Sequence, residues 1–415
     1  MTKVYTANSV NDVFSIVKKQ EKWSIQLFVR YIFIKSEIIF FNLILNCIQL
    51  FLFEKKLPKE QEIKTIVVYS IGILGDNVVR LPAILALKKR YPLAKLIVIN
   101  KYQNWNPIVP KQLFENAPYI DDLILTKNNP VQRQGLRFVY DNSLTKDLIC
   151  DLFVNLSPLG ARGWFGAVVR ELLLAKKLKS RFVAGFQMYS LLNLKKVNPI
   201  RHRIADINYP RLPEKILKKI HINIDYNLEV FPHNDTTTKN IVSKLKEAPI
   251  LTGYAILHPG SALPCQRWPA SRYAEIGRYL KSQYGLTAII TGVENERELA
   301  NDVIAASDGS AISFAGKTSL GETIELIKNA KIVISNDTGL LHLASIQNVP
   351  TLGIFGTREN PKWWFPLGTK KYVILGFSND SLRYNDENII TDLLNIEVDE
   401  VKKLIDQMFI EFQIG

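Results

Sequence analysis

Short apolar runs alternate with helix-like patterns along most of the chain, from residue 63 to residue 390. A parallel strand needs a crossover connection, usually a helix, before the next parallel strand can pair with it. The alternation therefore predicts an α/β protein built from parallel β-α-β units. The predicted strands cover residues 66–70, 96–100, 121–125, 147–155, 181–186, 227–230, 254–257, 287–291, 312–314, 332–335 and 351–355.

A polar stretch, Phe231–Thr238, divides these strands into two groups. Domain boundaries fall in exposed, polar linkers where few contacts cross. A chain of 415 residues is also too long for one compact core. The predicted domains therefore span residues 63–231 and 232–390, and a C-terminal helix is predicted within residues 391–415.

The first 62 residues have a different pattern. The segment Trp23–Phe53 is strongly apolar, but charged residues interrupt its first half, and Asn42, Asn46 and Gln49 recur at helical spacing in its second half. A spanning helix needs about 20 mostly apolar residues. The pattern therefore favours an amphipathic helix that lies in the membrane interface, with lysines on anionic lipid. The alternative is a hydrophobic helix hairpin packed on the first domain. The flanking lysines are Lys18, Lys19, Lys22, Lys55, Lys56 and Lys59.

Polar, glycine-containing turns follow three of the predicted strands. Ligands of open parallel sheets bind at the carboxyl ends of the strands, so each turn is a candidate site. The third turn begins a helix, and the free N–H groups and positive dipole of a helix start suit a phosphate. The turns are Ile71–Asn77, His258–Pro269 and Ser335–Ala344.

Composition and charge narrow the class of ligand. A net charge of +14 predicts an anionic partner, and nucleic acid is not expected because no RNA- or DNA-binding motif occurs among the scattered basic residues. Three widely spaced cysteines predict neither a disulfide framework nor a zinc site and fit a reducing cytoplasm. No Gly-x-Gly-x-x-Gly follows a strand and no Asp-x-Asp pair is present, so neither a dinucleotide cofactor nor a bound metal is expected.

Taken in order, the three turns resemble those of the lipopolysaccharide heptosyltransferases and their relatives in glycosyltransferase family 9, over residues 63–368. The family has a Gly-Asp turn, a His-Pro-Gly loop leading to Arg/Lys-Trp-Pro, and a Ser-x-Asp-Thr/Ser-Gly-x-x-His-Leu helix start. The resemblance implies a GT-B fold, in which two Rossmann-like parallel-sheet domains face each other across a cleft and the last helix returns to the first domain. The N-terminal helical extension is an addition that the best-known members lack.

The resemblance also implies a catalytic residue. Asp76, which follows Gly75, matches the general base that takes the proton of the acceptor hydroxyl. A carboxylate at a helix N-terminus is held in its charged form, which suits that task. The alternative interpretation is a plain helix N-cap, because Asp is a favoured capping residue.

The donor diphosphate is assigned in the same way. Arg267 matches the basic residue that neutralises it, and a guanidinium can grip a phosphate with two parallel bonds. Thr338, Gly339 and Leu340 match the backbone amides that bind it, while Asp337 is expected to shape the turn.

Two further residues have weaker assignments. Glu294 matches an acidic residue that holds the nucleoside ribose, although a solvated helix cap would explain it as well. His342 is interpreted as a phosphate contact, as a proton donor to the leaving group, or as a buried structural histidine. His258 is expected to be structural.

The implied activity is inverting, metal-independent transfer of a sugar, heptose or another, from a nucleotide-diphosphate donor such as ADP-heptose. The implied acceptor is a hydroxyl of a lipid-linked or oligosaccharide cell-surface glycan of the lipopolysaccharide type, reached from the cytoplasmic face of the plasma membrane. Residues 156–163 depart from the family's glycine-and-basic pattern, which leaves the sugar open. A nucleotide-sugar epimerase of the same fold and a non-catalytic nucleotide-sugar-binding relative stay open as alternatives.

Overall fold

The computed structural model describes residues 3–7, 11–12, 25–101, 109–126, 130–134, 137–140, 148–157, 165–187, 208–248, 250, 252–356, 364–377, 390 and 392–415. The chain divides into two compact units. The first unit comprises residues 21–225, and the second comprises residues 226–415 together with residues 1–20.

The described chain begins with strand β1 (Lys3–Ala7), which belongs to the second unit, and continues with helix α1 (Ile25–Leu52) of the first. The strands of the first unit are β2 (Thr65–Tyr69), β3 (Lys95–Lys101), β4 (Asp122–Thr126), β5 (Val131–Gln134), β6 (Arg137–Tyr140), β7 (Leu152–Asn155) and β8 (Phe182–Ala184). Its other helices are α2 (Leu74–Val78), α3 (Leu81–Arg90), α4 (Val109–Glu115), α5 (Phe165–Lys177) and α6 (Leu212–Lys218).

Five of these strands form one parallel sheet in the order β4-β3-β2-β7-β8, and β5 and β6 form a separate antiparallel pair. The chain leaves β2 towards β3 on one side and later returns to β7 on the other. The strand order therefore reverses between β2 and β7. In an open parallel sheet this reversal opens a crevice at the carboxyl ends of the strands.

The second unit has strands β9 (Tyr254–His258), β10 (Thr287–Ile290), β11 (Ala311–Ser313), β12 (Val333–Asn336), β13 (Thr351–Phe355) and β14 (Lys371–Phe377). Its helices are α7 (Asp235–Lys246), α8 (Ala270–Tyr284), α9 (Arg297–Ala305), α10 (Leu320–Lys328), α11 (Gly339–Ile346) and α12 (Val398–Glu411). The sheet order is β1-β14-β13-β12-β9-β10-β11, with every pair parallel except β1 and β14. Here the order reverses between β9 and β12.

The prediction of two Rossmann-like parallel-sheet domains is confirmed. The predicted strand over residues 227–230 is wrong, because this segment is irregular. Val230 and Phe231 are buried, so the apolar run anchors the connection to the second unit without pairing as a strand. Strands β1, β5, β6 and β14 were not predicted.

The last helix belongs to the second unit. Val401, Ile405 and Met408 of α12 are fully buried in the same hydrophobic cluster as Ala255 of β9 and Ile374 of β14. Its apolar face packs against the second unit's own sheet and α8, and its return to the first domain stays a prediction.

Helix α1 packs on the first unit. Leu45 is fully buried and Phe53 nearly so, in a cluster that includes Phe153 and Phe186. Within the predicted extension, residues 1–62, β1 and α1 belong to different units. Within the described ranges, no helix combines the length and hydropathy that crossing a membrane requires. The predicted flanking lysines 18, 19 and 22 lie outside these ranges.

Candidate functional site

The turn after β2 places a carboxylate at the point where the first sheet reverses its strand order. Asp76 is 4% exposed, and its Oδ2 accepts a hydrogen bond of 2.9 Å from the Ile73 N–H. Gly72 lies so close that a Cβ there would be 2.3 Å from the Asp76 Cβ. Glycine at position 72 is therefore needed for the carboxylate to fold back over the turn. Gly75, the glycine of the Gly-Asp turn named in the sequence analysis, is buried in α2.

The second carboxylate oxygen has a different environment. Asp76 Oδ1 is buried and has no hydrogen-bond partner among the described residues, and it lies 3.8 Å from Arg80 Nη2. Arg80 is held by hydrogen bonds of 2.9 Å from Nη1 to Ser70 Oγ and to the Ile71 carbonyl. Buried polar atoms are normally paired. Asp76 thus keeps one acceptor oxygen available beside a fixed positive charge.

Three buried polar side chains fix this turn, and the sequence analysis did not identify them. Asn77 accepts hydrogen bonds at Oδ1 from Ser70 Oγ at 2.8 Å and from Asn100 Nδ2 at 3.0 Å, and it donates to the Gly72 and Ile73 carbonyls at 3.0 Å each. Asn100 also donates to the Ser70 carbonyl. Ser70 directly follows β2, and Asn100 is the penultimate residue of the neighbouring strand β3. Polar residues at the ends of apolar strands were the signal available in the sequence.

A second buried carboxylate lies at the end of β7. Glu171 of α5 is 1% exposed, and its Oε2 accepts a hydrogen bond of 2.6 Å from Asn155 Nδ2. Burial raises the pKa of Glu171 to about 7, although the bond from Asn155 and the charge of Arg170 oppose the shift. Residues 158–163, where the sequence departs from the family pattern, lie outside the described residues.

In the second unit, helix α11 begins at the reversal point between β9 and β12. Thr338 is its N-cap residue but makes no capping hydrogen bond, and its hydroxyl lies 3.1 Å from Ser335 Oγ. The first N–H groups of a helix have no acceptor within the helix. The amides of Gly339 and Leu340 therefore have no acceptor within the helix, and their contact with a phosphate stays a prediction.

Arg267 lies on the loop that follows β9. Its Nε and Nη2 donate hydrogen bonds of 3.1 and 2.8 Å to the Ser261 carbonyl. A guanidinium carries five N–H donors, so binding to one carbonyl oxygen orients the group and leaves donors for an anion. Burial lowers the pKa of His258, and the charge of Arg267 adds to this shift, while Glu296 and the Thr291 carbonyl oppose it.

Asn336 joins the Arg267 loop to the start of α11. Its Oδ1 accepts hydrogen bonds from Trp268 N at 3.2 Å and from Tyr273 Oη at 3.0 Å, and its Nδ2 donates to the Pro259 and Gly260 carbonyls at 2.8 and 3.2 Å. Asn336 is fully buried. One amide thus fixes both predicted phosphate-binding elements, and the sequence analysis did not assign it a role.

We expect Asn336→Leu to lower the free energy of unfolding of the second unit by about 2–4 kcal/mol, because four buried groups lose their hydrogen-bond partner. Chemical denaturation followed by tryptophan fluorescence, to which the buried Trp268 contributes, measures this loss. Asn329→Leu is the matched control, since Asn329 is exposed and makes one local bond to the Glu325 carbonyl. Equal stability of the two variants would contradict the central position given to Asn336.

Glu294 and Glu296 lie on the short helical turn Glu294–Glu296 after β10. Glu294 is exposed and its Oε1 accepts a hydrogen bond of 2.7 Å from Arg297 Nη1. Glu296 Oε2 accepts from Val293 N at 2.9 Å, and Oε1 lies where a Cβ on Gly260 would meet it at 2.2 Å. Glu296 therefore holds this turn against the His-Pro-Gly loop, while the ribose contact of Glu294 stays a prediction.

His342 is 3% exposed, and burial lowers its pKa to about 4. Its Nε2 lies 3.9 Å from Asp337 Oδ1, and its Nδ1 has no hydrogen-bond partner among the described residues. A group with this pKa is neutral at pH 7 and carries little protonated form to donate. The environment favours the structural interpretation, with Asp337 beside it in the turn.

The sequence profile of glycosyltransferase family 9 (heptosyltransferase) matches residues 173–389, just over half of the chain. Lipopolysaccharide heptosyltransferase 2 of Escherichia coli K12 is 30% identical over 152 residues, which cover 35% of this chain and 42% of that protein. The chain spans less than half the length of the curated relatives that it matches at 30% identity or more.

Solved structures share the fold. A family 9 glycosyl transferase from Veillonella parvula has a TM-score of 0.60 at 21% identity and covers 84% of this chain and 97% of its own. The ADP-heptose lipopolysaccharide heptosyltransferase II of Escherichia coli has a TM-score of 0.55 at 18% identity, covering 84% and 99%. With the two parallel sheets described above, these neighbours assign the GT-B fold class. By the match of its sequence to the family profile, the chain belongs to glycosyltransferase family 9.

Proposed function

We propose that this protein is an inverting, metal-independent glycosyltransferase that moves a heptose, or a closely related sugar, from an ADP-linked donor to a hydroxyl of a lipopolysaccharide-type acceptor. Membership of family 9 supports the reaction class. The names of similar proteins support the choice of an ADP-linked heptose as donor and a lipopolysaccharide-type glycan as acceptor, because these names include ADP-heptose and lipopolysaccharide.

One observation carries the donor half of the proposal. Asn336 ties the Arg267 loop to the start of α11, so that a guanidinium and free helix N–H groups are both fixed at the strand reversal of the second sheet. A diphosphate needs several positive or donor groups that converge on it. As the bond from the anomeric carbon to the diphosphate breaks, these groups stabilise the negative charge that gathers on the leaving oxygen.

Asp76 is the residue that acts on the acceptor in this proposal. The acceptor hydroxyl gives its proton to the Asp76 carboxylate while its oxygen forms a bond to the anomeric carbon. The bond to the diphosphate breaks on the opposite face, so one displacement inverts the configuration. Asp76 Oδ1 suits the proton because the other oxygen, Oδ2, is already bound to the Ile73 N–H.

The mechanism assigns the leaving-group charge to protein groups rather than to a divalent ion. Arg267 and the amides of Thr338, Gly339 and Leu340 supply positive charge at the diphosphate without any change of protonation. Activity is therefore expected to persist when divalent ions are chelated. A lipid-linked acceptor further implies that the enzyme works on the cytoplasmic, anionic face of the plasma membrane.

Nucleotide binding tests the donor site by itself. In the presence of EDTA, ADP at about 100 times its Kd should stabilise the protein by about 2.7 kcal/mol, and this raises the Tm by about 5–10 °C for a unit of this size. UDP, GDP and CDP at the same concentration should give smaller shifts, and adenosine none. A protein that no nucleoside diphosphate stabilises would contradict the proposal.

A further inference from the structure

Helix α1 presents an apolar face to solvent. Five large hydrophobic side chains on this face are between 55% and 89% exposed. Their spacing repeats at three, four and seven residues, which places them on one side of a helix. We call this set the outer stripe: Ile39, Phe40, Leu43, Leu50 and Phe51.

The opposite face of α1 packs on the first unit, so the outer stripe faces away from that unit's core. Leu45 is fully buried against the first unit, and Phe41, Ile48 and Leu52 pack on the same cluster. Gln49 also faces inwards, since its Nε2 donates to the Phe186 carbonyl at 3.4 Å. Two of the three residues of the predicted polar stripe, Asn42 and Gln49, are partly buried, so the outward surface is more apolar than the sequence analysis predicted.

Positive charge gathers at the C-terminal end of α1. Lys55, Lys56 and Lys59 are exposed, and Lys176 donates a hydrogen bond of 3.0 Å to the Leu52 carbonyl. The acidic residues of this region are already paired with arginines, so the lysines are in excess. These pairs are Glu54 and Glu62 with Arg181, and Glu60 with Arg90.

We propose that the outer stripe and these lysines form a docking surface for an anionic lipid bilayer. The apolar side chains would enter the acyl boundary while the lysines contact the headgroups, the combination that holds an interfacial helix. Because the inner face of α1 stays packed on the first unit, the helix lies along the bilayer surface. The inference deepens the proposed function, since it names the surface that brings the enzyme to a lipid-linked acceptor.

A second copy of the chain is the other occupant that an exposed apolar helix could take. Lysine is depleted in protein–protein interfaces relative to the rest of the protein surface, whereas lysines next to an apolar stripe are typical of binding to anionic membranes. The lysine excess beside Phe51 therefore favours lipid.

Flotation with vesicles tests the docking surface in the full chain. The parent should bind phosphatidylglycerol–phosphatidylethanolamine vesicles more strongly than phosphatidylcholine vesicles, and high salt should reduce the difference. Leu43→Asp with Leu50→Asp should lower binding by about tenfold or more, since two inserted side chains become charged. The matched control is Leu93→Asp, because Leu93 is 98% exposed and lies outside the stripe.

A second variant separates charge from insertion. Replacing Lys55, Lys56 and Lys59 together by Gln should weaken binding to anionic vesicles severalfold and flatten its salt dependence. The Tm shift with ADP should be unchanged in both variants, so loss of vesicle binding with intact ADP binding separates this inference from the proposed function. If the Leu43→Asp, Leu50→Asp variant bound vesicles as strongly as the Leu93→Asp control does, the inference would be overturned. The inference would also be overturned if the parent protein formed a dimer and the Leu43→Asp, Leu50→Asp variant lost that dimer while its vesicle binding stayed the same.

Discussion

Asp76→Asn is expected to lower kcat by about two to four orders of magnitude, the usual contribution of a general base. Asparagine keeps the size of the side chain, and its amide oxygen can still accept from the Ile73 N–H, which is 2.9 Å from Asp76 Oδ2. The turn should therefore survive, and with it the Tm and the shift caused by ADP. The donor groups lie in the second unit, so their affinity should not change.

Steady-state transfer with saturating donor and acceptor measures this effect. Asp122→Asn is a matched control, because Asp122 lies at the start of β4 in the same unit, is exposed and forms an ion pair with Lys95 at 3.1 Å. The control should retain parental turnover. If Asp76→Asn turned over within threefold of the parent, Asp76 would be a helix cap and another group would have to accept the proton.

Arg267→Ala is expected to lower kcat/KM by about two to three orders of magnitude, because a preorganised charge at the leaving group is lost. The same cation meets the diphosphate in the ground state, so the ADP-induced Tm shift should also fall. Arg267→Lys should recover only part of both effects, since an ammonium group cannot form two parallel bonds to one phosphate. Isothermal titration with ADP and transfer rates measure the two effects separately.

Arg278→Ala is the control for this variant. Arg278 lies on α8 of the same unit, pairs with the exposed Asp308 at 3.7 Å and points to the end of α9, so its loss should leave ADP binding unchanged. Undiminished ADP binding in Arg267→Ala would contradict the diphosphate assignment. It would leave Arg267 as a loop-fixing residue bound to the Ser261 carbonyl.

Local patterns predicted the elements that carry the candidate sites. Strands β2, β9 and β12 are largely apolar runs followed by polar, glycine-containing turns, and this pattern was sufficient to place Asp76, Arg267 and Thr338 on the turns after those strands. The sequence could not show which polar residues fix them. Asn336 binds partners that are 63 to 77 positions away along the chain, and no periodicity marks such contacts.

Packing partners were harder to predict than the elements themselves. Helices α1 and α12 were both expected from their apolar patterns, but an apolar face does not say which sheet will cover it. Strand β14 has a clear apolar run that the sequence analysis passed over. Strand β1 pairs with it across more than 360 residues, and such a long-range pairing leaves no local signal.

Transfer of a single sugar in the presence of EDTA tests the central claim most directly. The parent protein, ADP-heptose and a lipopolysaccharide-core acceptor are incubated with the chelator, and mass spectrometry of the acceptor records the gain of a heptosyl unit. The account predicts that the parent adds this unit and releases ADP with it, while Asp76→Asn under the same conditions adds almost none. An acceptor that gains no sugar unless a divalent metal is supplied, or one that gains it equally from both proteins, would contradict the account.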